Sequence, residues 1–169
     1  PHPDLPGRAP LSRPAALLLT GGLLLAGCSS QDPATPDAAP VGRAPLVLPA
    51  PAPTTEAAET ACRTLLAALP REIDPGVARR VLDGAPARLA AWGEPPVVLE
   101  CGVAAGSPTD PPVTVNGVEW TVRDTGDGFL WSTVGRTVNV SVAIPGAYDN
   151  GVELVNPLAA PVEQSLPAS

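Results

Sequence analysis

The chain has 169 residues, which is enough for one domain with appended segments. It contains 24 prolines and 16 glycines, so a large part of it is neither helix nor central strand. The formal net charge is −7, and the acids and arginines are scattered along the chain. Because there is no basic patch with interleaved aromatic residues, we expect no nucleic-acid partner.

The first 27 residues have the pattern of a bacterial signal peptide. Arg8 and Arg13 precede an apolar run of 13 residues, 15–27, which is too short to span a bilayer as a helix. The run ends in Leu25-Ala26-Gly27-Cys28, which resembles the bacterial lipobox. We therefore expect export, removal of residues 1–27, and a lipid on Cys28 that anchors the chain to the outer face of the cytoplasmic membrane. The alternative is a buried N-terminal helix that ends in Cys28.

Residues 28–53 are predicted to be a tether. The segment 29–54 holds seven prolines among Ala, Thr, Ser and Asp, and has little apolar surface to offset its ordering entropy. An extended, partly polyproline-II spacer of about 3 Å per residue is expected. The run 45–49, Pro-Leu-Val-Leu-Pro, is alternatively a short edge strand. The globular domain is expected over residues 54–169.

The domain is predicted to begin with two helices. Thr54 and Thr55 can cap the first helix, and Pro70 ends it. Its apolar face is formed by Ala58, Ala61, Cys62, Leu65, Leu66 and Leu69. A shorter second helix is predicted from Asp74 as cap to Val81 or Leu82, with Gly84 after its end.

Strands are predicted after Trp92. The β-rich runs are 97–103, 113–122 with a tight turn or bulge at Asn116-Gly117, 129–134, 137–144, and a short one at 152–155. A last helix is predicted from Asn156 as cap. Helices followed by strands with hairpin-length connections favour the α+β class. We expect a small single domain with two or three short helices packed on an antiparallel sheet of about four or five strands.

Two cysteines remain if Cys28 carries the lipid. An oxidising compartment favours a disulfide between Cys62 and Cys101. Closing this loop of 39 residues would contribute about 4 kcal/mol to stability in the chain-entropy model. Two free thiols are the alternative, and a metal site is disfavoured because no histidine accompanies the two sulfurs.

The inventory of reactive side chains argues against most enzyme mechanisms. The only histidine is His2, ahead of Cys28, and the chain has no lysine. This removes Ser-His and Cys-His pairs, His-ligated zinc and Schiff bases, so we assign no catalytic residue, no metal and no cofactor. The alternative is a hydrolase of envelope glycans that uses two carboxylates. Its candidate acids are Glu94, Glu100, Glu119, Asp124, Asp127 and Asp149.

Two further features of the sequence are an acidic, glycine-rich run and the tryptophans. The run Asp124-Thr125-Gly126-Asp127-Gly128 lacks the ligand spacing and final Glu of a calcium loop, so we predict a hairpin turn.

The tryptophans either fill the core or form a binding surface, since an indole suits both sugars and proteins. We expect Trp92 and Trp120 in the core. The candidate binding patch consists of Trp131, Arg136 and Tyr148.

Several segments together resemble a known family. They are the lipobox, the Pro-rich segment, the Cys of the first helix, Ala-Ala-Trp-Gly-Glu-Pro-Pro-Val-Val-Leu-Glu-Cys-Gly-Val at 90–103, Val-Asn-Gly-Val-Glu-Trp at 115–120, and Thr-Val-Gly-Arg at 133–136. The chain resembles the actinobacterial domain of unknown function 3515 over about residues 45–167. The resemblance implies a small envelope lipoprotein or secreted protein, and it brings no catalytic residue or ligand. We expect a non-enzymatic module that binds an envelope protein or a cell-wall component; a purely structural lipoprotein with no discrete site is a further alternative.

Overall fold

The computed structural model describes residues 45–84, 86–149 and 151–169. The predicted signal peptide and the lipid site at Cys28 lie outside these residues. The described part has two helices and six strands. They are α1 (Glu56–Ala68), β1 (Leu89–Trp92), β2 (Val97–Val103), β3 (Val113–Val115), β4 (Val118–Asp124), β5 (Gly128–Thr133), β6 (Asn139–Pro145) and α2 (Gly151–Ser165).

Helix α1 is the first predicted helix, with the expected cap. The Thr55 hydroxyl accepts a hydrogen bond from the backbone N–H of Ala58 at 3.2 Å, which satisfies one of the free donors at the helix start. Glu56 and Glu59 lie in the first turn, where carboxylates are favoured by the helix dipole. The helix ends before Leu69, the residue that precedes Pro70.

The six strands form one antiparallel sheet in the order β1-β2-β6-β5-β4-β3. The α+β class is therefore confirmed, with slightly more strands than the predicted four or five. The hairpin turn at Asn116-Gly117 is confirmed too: both residues have positive φ, 44° and 81°, as a tight two-residue turn between strands requires. The two helices cover one face of the sheet, the inner face, and we call the other the outer face.

The predicted helix over residues 74–82 is wrong. This segment is a tight turn in which the N–H of Ile73 donates to Val77 O at 3.2 Å and the N–H of Val77 donates to Asp74 O at 2.8 Å. Gly76 has φ of 82°, a conformation that follows Pro at the second position of a type II turn. The Asp-Pro-Gly run was therefore a turn signal and not a helix start.

The predicted strand at 152–155 is also wrong, because helix α2 already begins at Gly151 and Asn156 lies inside it. Two prolines, Pro157 and Pro161, lie within this helix. Each removes one backbone donor. The helix compensates for the lost hydrogen bonds by burying one apolar face against the sheet. The buried residues of this face are Leu154, Val155, Leu158, Ala159 and Val162.

The core lies between the helices and the inner face of the sheet. Trp92 and Trp120 are both 0% exposed, which confirms their prediction as core residues. The Trp92 indole donates to Pro70 O at 3.0 Å, and the Arg79 guanidinium lies 5.2 Å from the centroid of the same ring. Burial lowers the pKa of Arg79. The predicted disulfide is present: Cys62 of α1 is bonded to Cys101 of β2.

The end of the predicted tether contacts the domain. We call residues 46–52 the strap. Leu46 donates its N–H to Val81 O at 2.9 Å and accepts from the N–H of Asp83 at 3.0 Å. At the other end, the buried Arg88 guanidinium donates to Ala52 O. The strap thus lies against the β1 side of the sheet.

Candidate functional site

The three residues of the predicted binding patch do not form one exposed surface. Trp131 is 5% exposed and belongs to the core. Its indole packs against Gly151, the first residue of α2, where a Cβ would lie 3.0 Å from Nε1. Trp131 therefore presents no ring to a partner at the surface.

Arg136 and Tyr148 hold different parts of the backbone together. Arg136 donates to Leu166 O at 3.2 Å and to Gly117 O at 3.1 Å, so it connects the end of α2 to the β3–β4 turn. The Tyr148 hydroxyl donates to Pro95 O at 2.8 Å, within the connection between β1 and β2. Arg136 thus lies near the end of α2, Trp131 near its start, and Tyr148 contacts a third region.

Of the acids considered for hydrolysis, Asp124 and Asp127 share the turn between β4 and β5, and the other four lie in different parts of the domain. Glu94 forms an ion pair with Arg80, at 2.6 Å, and the Asp124 carboxylate accepts from the N–H of Gly126 at 2.7 Å. Glu100 lies on β2 and Glu119 on β4, with β6 and β5 between them. At about 4.8 Å per strand this separation is about 14 Å, which exceeds the spacing of a glycosidase pair.

The turn at residues 124–128 joins β4 to β5 as a hairpin. The N–H of Thr125 donates to Gly128 O at 2.9 Å, and Gly126 and Gly128 adopt positive φ. Within residues 45–84, 86–149 and 151–169 there is no group of three His, Cys, Asp or Glu side chains placed to hold a metal ion.

The order of the strands creates a different site, on the outer face. The chain leaves β2 near one side of the sheet and must reach β3 at the far edge, so residues 104–112 cross β6, β5 and β4. The N–H of Gly106 donates to Thr133 O at 3.0 Å and anchors this connection to β5. A Cβ at residue 106 would overlap the Thr121 hydroxyl and lie 3.1 Å from Ser132 O. A glycine is therefore needed where the connection touches the sheet.

Beside this connection, polar residues on four strands form a row. The register pairs Thr121 of β4 with Ser132 of β5, Ser132 with Ser141 of β6, and Ser141 with Glu100 of β2. The next row on the same face contains Arg123, Leu130, Ala143 and Val98. Directly opposite residues lie about 5 Å apart, so their side chains share one surface.

We call the space between this surface and residues 104–112 the outer-face groove. It is a cavity of about 320 Å³, and its lining includes Thr121, Arg123, Leu130, Ser132 and Ser141 from the strands and Ser107 and Asp110 from the connection. A second cavity of about 400 Å³, with Pro108, Pro112 and Val134 in its lining, adjoins it around the same connection. A third, of about 330 Å³, lies between the strap and Leu89, Val98 and Glu100.

Four polar groups in the outer-face groove are available to a ligand. Among the described residues, the Arg123 guanidinium, the Asp110 carboxylate and the hydroxyls of Ser132 and Ser141 have no hydrogen-bond or ion-pair partner. Most other arginines of the domain do have partners: Arg80 binds Glu94, while Arg88 and Arg136 bind backbone carbonyls. An arginine beside free hydroxyls suits the recognition of an anionic oxygen.

Sequence reasoning did not identify the outer-face groove. Side chains alternate between the two faces along each of the strands β4, β5 and β6. From this rule alone, the sequence indicates that Thr121 and Arg123 share one face of β4, and it assigns Ser132 to one face of β5. Nothing in the sequence pattern showed that β2 pairs with β6, which brings Glu100 next to Ser141. The position of residues 104–112 over the sheet was equally absent from the pattern.

Further findings bear on the membrane and on relationships to other proteins. The described residues contain no helix with the length and apolar character needed to cross a membrane. A search of the curated proteins finds no match, and a search of the solved structures finds none. The family model described as "Protein of unknown function (DUF3515)" matches residues 14–169. Since this match covers most of the chain, the protein belongs to the DUF3515 family.

Proposed function

We propose that this protein is a non-enzymatic binding module of the cell envelope, held at the membrane by a lipid on Cys28, and that the outer-face groove is its ligand site. The observation that carries the proposal is that one cavity contains Arg123, Ser132 and Ser141, whose side chains have no partner within the part of the chain that the structure describes. Supporting it, the residues after Cys28 include no histidine or lysine, the groups that most nucleophilic mechanisms require.

The lipid part of the proposal rests on the sequence 25–28, Leu-Ala-Gly-Cys, after an apolar run. Cys62 and Cys101 are joined to each other, so Cys28 is the one cysteine left for another modification. We expect the full-length protein to sediment with membranes in its native host and the Cys28→Ala variant to appear in the soluble or secreted fraction. Equal membrane association of the two proteins would contradict the lipid anchor.

The binding part is tested by photo-crosslinking in cells. A photo-reactive residue replaces Ala143, which is exposed on the floor of the outer face, and in a control it replaces Glu59, which is exposed on α1. We expect a defined cross-linked species, protein or cell-wall component, from position 143 and not from position 59. The same products from both positions, or none from either, would contradict a ligand site on the outer face.

A further inference from the structure

We propose that the ligand of the outer-face groove is a short, extended peptide segment that carries one anionic and one cationic group four or five residues apart. This inference rests on the proposed function and specifies the ligand. It follows from the charges on the outer face, from the distance between them and from the floor that separates them.

The outer face carries one cation and one anion at opposite sides of this region. Arg123 on β4 lines the outer-face groove, whereas Glu100 on β2, three strand spacings away, lines the neighbouring cavity beside the strap. Neither side chain has a hydrogen-bond or ion-pair partner among the described residues. With about 4.8 Å per strand and about 3.3 Å per residue along a strand, the two Cα atoms are about 16 Å apart. An extended peptide covers this distance with four or five residues.

The floor between these charges fits a peptide backbone. On β5 and β6 it carries the small side chains of Ser132, Ser141 and Ala143 together with Leu130, and the small ones allow a chain to approach the sheet closely. The free hydroxyls of Ser132 and Ser141 can donate to peptide carbonyls and accept from peptide N–H groups. Residues 104–112 form one wall, so an extended chain would lie across the strands beside this wall.

The charges also argue against other envelope ligands. Arg123 is the only cation among the described residues that line the groove and the cavity beside the strap, while Asp110 in the first and Glu100 in the second are acidic. A polyanion would therefore be repelled by two carboxylates for each arginine it met. No aromatic side chain is among these lining residues, so a sugar ring would have no surface on which to stack.

The test is a titration of the full chain with a synthetic probe, acetyl-Lys-Ala-Ala-Ala-Asp-amide carrying a fluorophore, followed by fluorescence anisotropy. The matched control probe is acetyl-Gln-Ala-Ala-Ala-Asn-amide, which has the same length without charge. We expect the charged probe to bind about tenfold more tightly than the neutral one, as one or two partly exposed ion pairs would give. Equal affinities for the two probes would overturn the inference.

Charge reversal provides a second test. A variant that had lost its fold would not regain affinity when the second charge is reversed. Arg123→Glu alone and Glu100→Arg alone are each expected to weaken binding of the charged probe about tenfold. The double variant Arg123→Glu/Glu100→Arg should regain the affinity, because the peptide can lie in the opposite direction across the same groove. Failure of the double variant to recover, with its circular dichroism unchanged from the wild type, would contradict the inference.

The two proposals fail in distinguishable ways. If the peptide probes do not bind but cross-linking from position 143 still captures a glycan, the outer-face groove is a ligand site and only the ligand class is wrong. If neither the probes nor cross-linking report binding at the groove, the proposed function fails together with this inference.

Discussion

Arg88 is the residue whose environment is most unusual in this domain. It is 4% exposed, and its hydrogen-bond acceptors are backbone carbonyls: Cys101 O at 3.1 Å, Gly102 O at 3.5 Å, and Ala52 O of the strap. The buried charge is thus compensated by carbonyl dipoles, which links the strap to the disulfide-bonded strand β2.

Replacement of Arg88 by Ala should therefore destabilise the domain. Three carbonyls, that of Cys101 buried and those of Gly102 and Ala52 partly buried, would lose this donor. We expect the free energy of unfolding to fall by about 2–4 kcal/mol. The control is Arg63→Ala, since Arg63 is exposed and bonds to the neighbouring Thr60; its effect should stay within about 0.5 kcal/mol. Urea denaturation measures both. Equal stabilities of the two variants would contradict this role of Arg88.

Gly102 lies directly beside the Arg88 guanidinium. Its φ is 80°, and a Cβ there would lie 2.9 Å from Nη1 of Arg88. Gly102→Ala should lower the free energy of unfolding by at least about 1 kcal/mol, because alanine is strained at this φ and also meets the guanidinium. Gly126→Ala has similar backbone strain, with φ of 85° and nothing within 4 Å of the added Cβ. A loss no larger for Gly102→Ala than for Gly126→Ala would show that the contact does not matter.

At the scale of elements, one covalent bond joins the helical layer to the sheet. The disulfide between Cys62 and Cys101 closes a loop with a sequence separation of 39. Removal of both thiols in Cys62→Ala/Cys101→Ala should lower the free energy of unfolding by about 4 kcal/mol, chiefly by enlarging the unfolded ensemble. Denaturation of the wild type with and without reductant is the matching control. A loss below about 1 kcal/mol in both comparisons would contradict this role of the disulfide.

Local signals predicted some elements well and others badly. Thr55, Glu56 and Pro70 mark the bounds of α1 by capping chemistry, and Asn116-Gly117 marks its hairpin by φ. By contrast, β1 was not predicted because all four of its residues are buried, so its sequence does not alternate. Helix α2 was missed in part because prolines inside a run normally indicate that a helix stops, whereas burial on the sheet maintains this one.

At the scale of the whole molecule, the candidate site depends on contacts between strands that are distant in sequence. The neighbours β5 and β6 form a hairpin, so the pairing of Ser132 with Ser141 follows from local sequence. Glu100 joins them through the pairing of β2 with β6, and Arg123 through β4. The outer-face groove therefore exists only once the strand order is known. Trp131 and Arg136 stand out in the sequence, but their roles are structural. Trp131 is buried in the core, and Arg136 donates to backbone carbonyls.

The measurement that tests the central claim most directly compares two arginine variants in the cross-linking experiment from position 143. Arg123→Glu reverses the charge in the outer-face groove, whereas Arg71→Glu reverses the charge of another exposed arginine that lines none of the three cavities at the outer face. We predict that the yield of the cross-linked species falls about tenfold or more in the first variant and is retained in the second. Equal yields from the two variants would show that the outer-face groove is not where this protein binds its ligand.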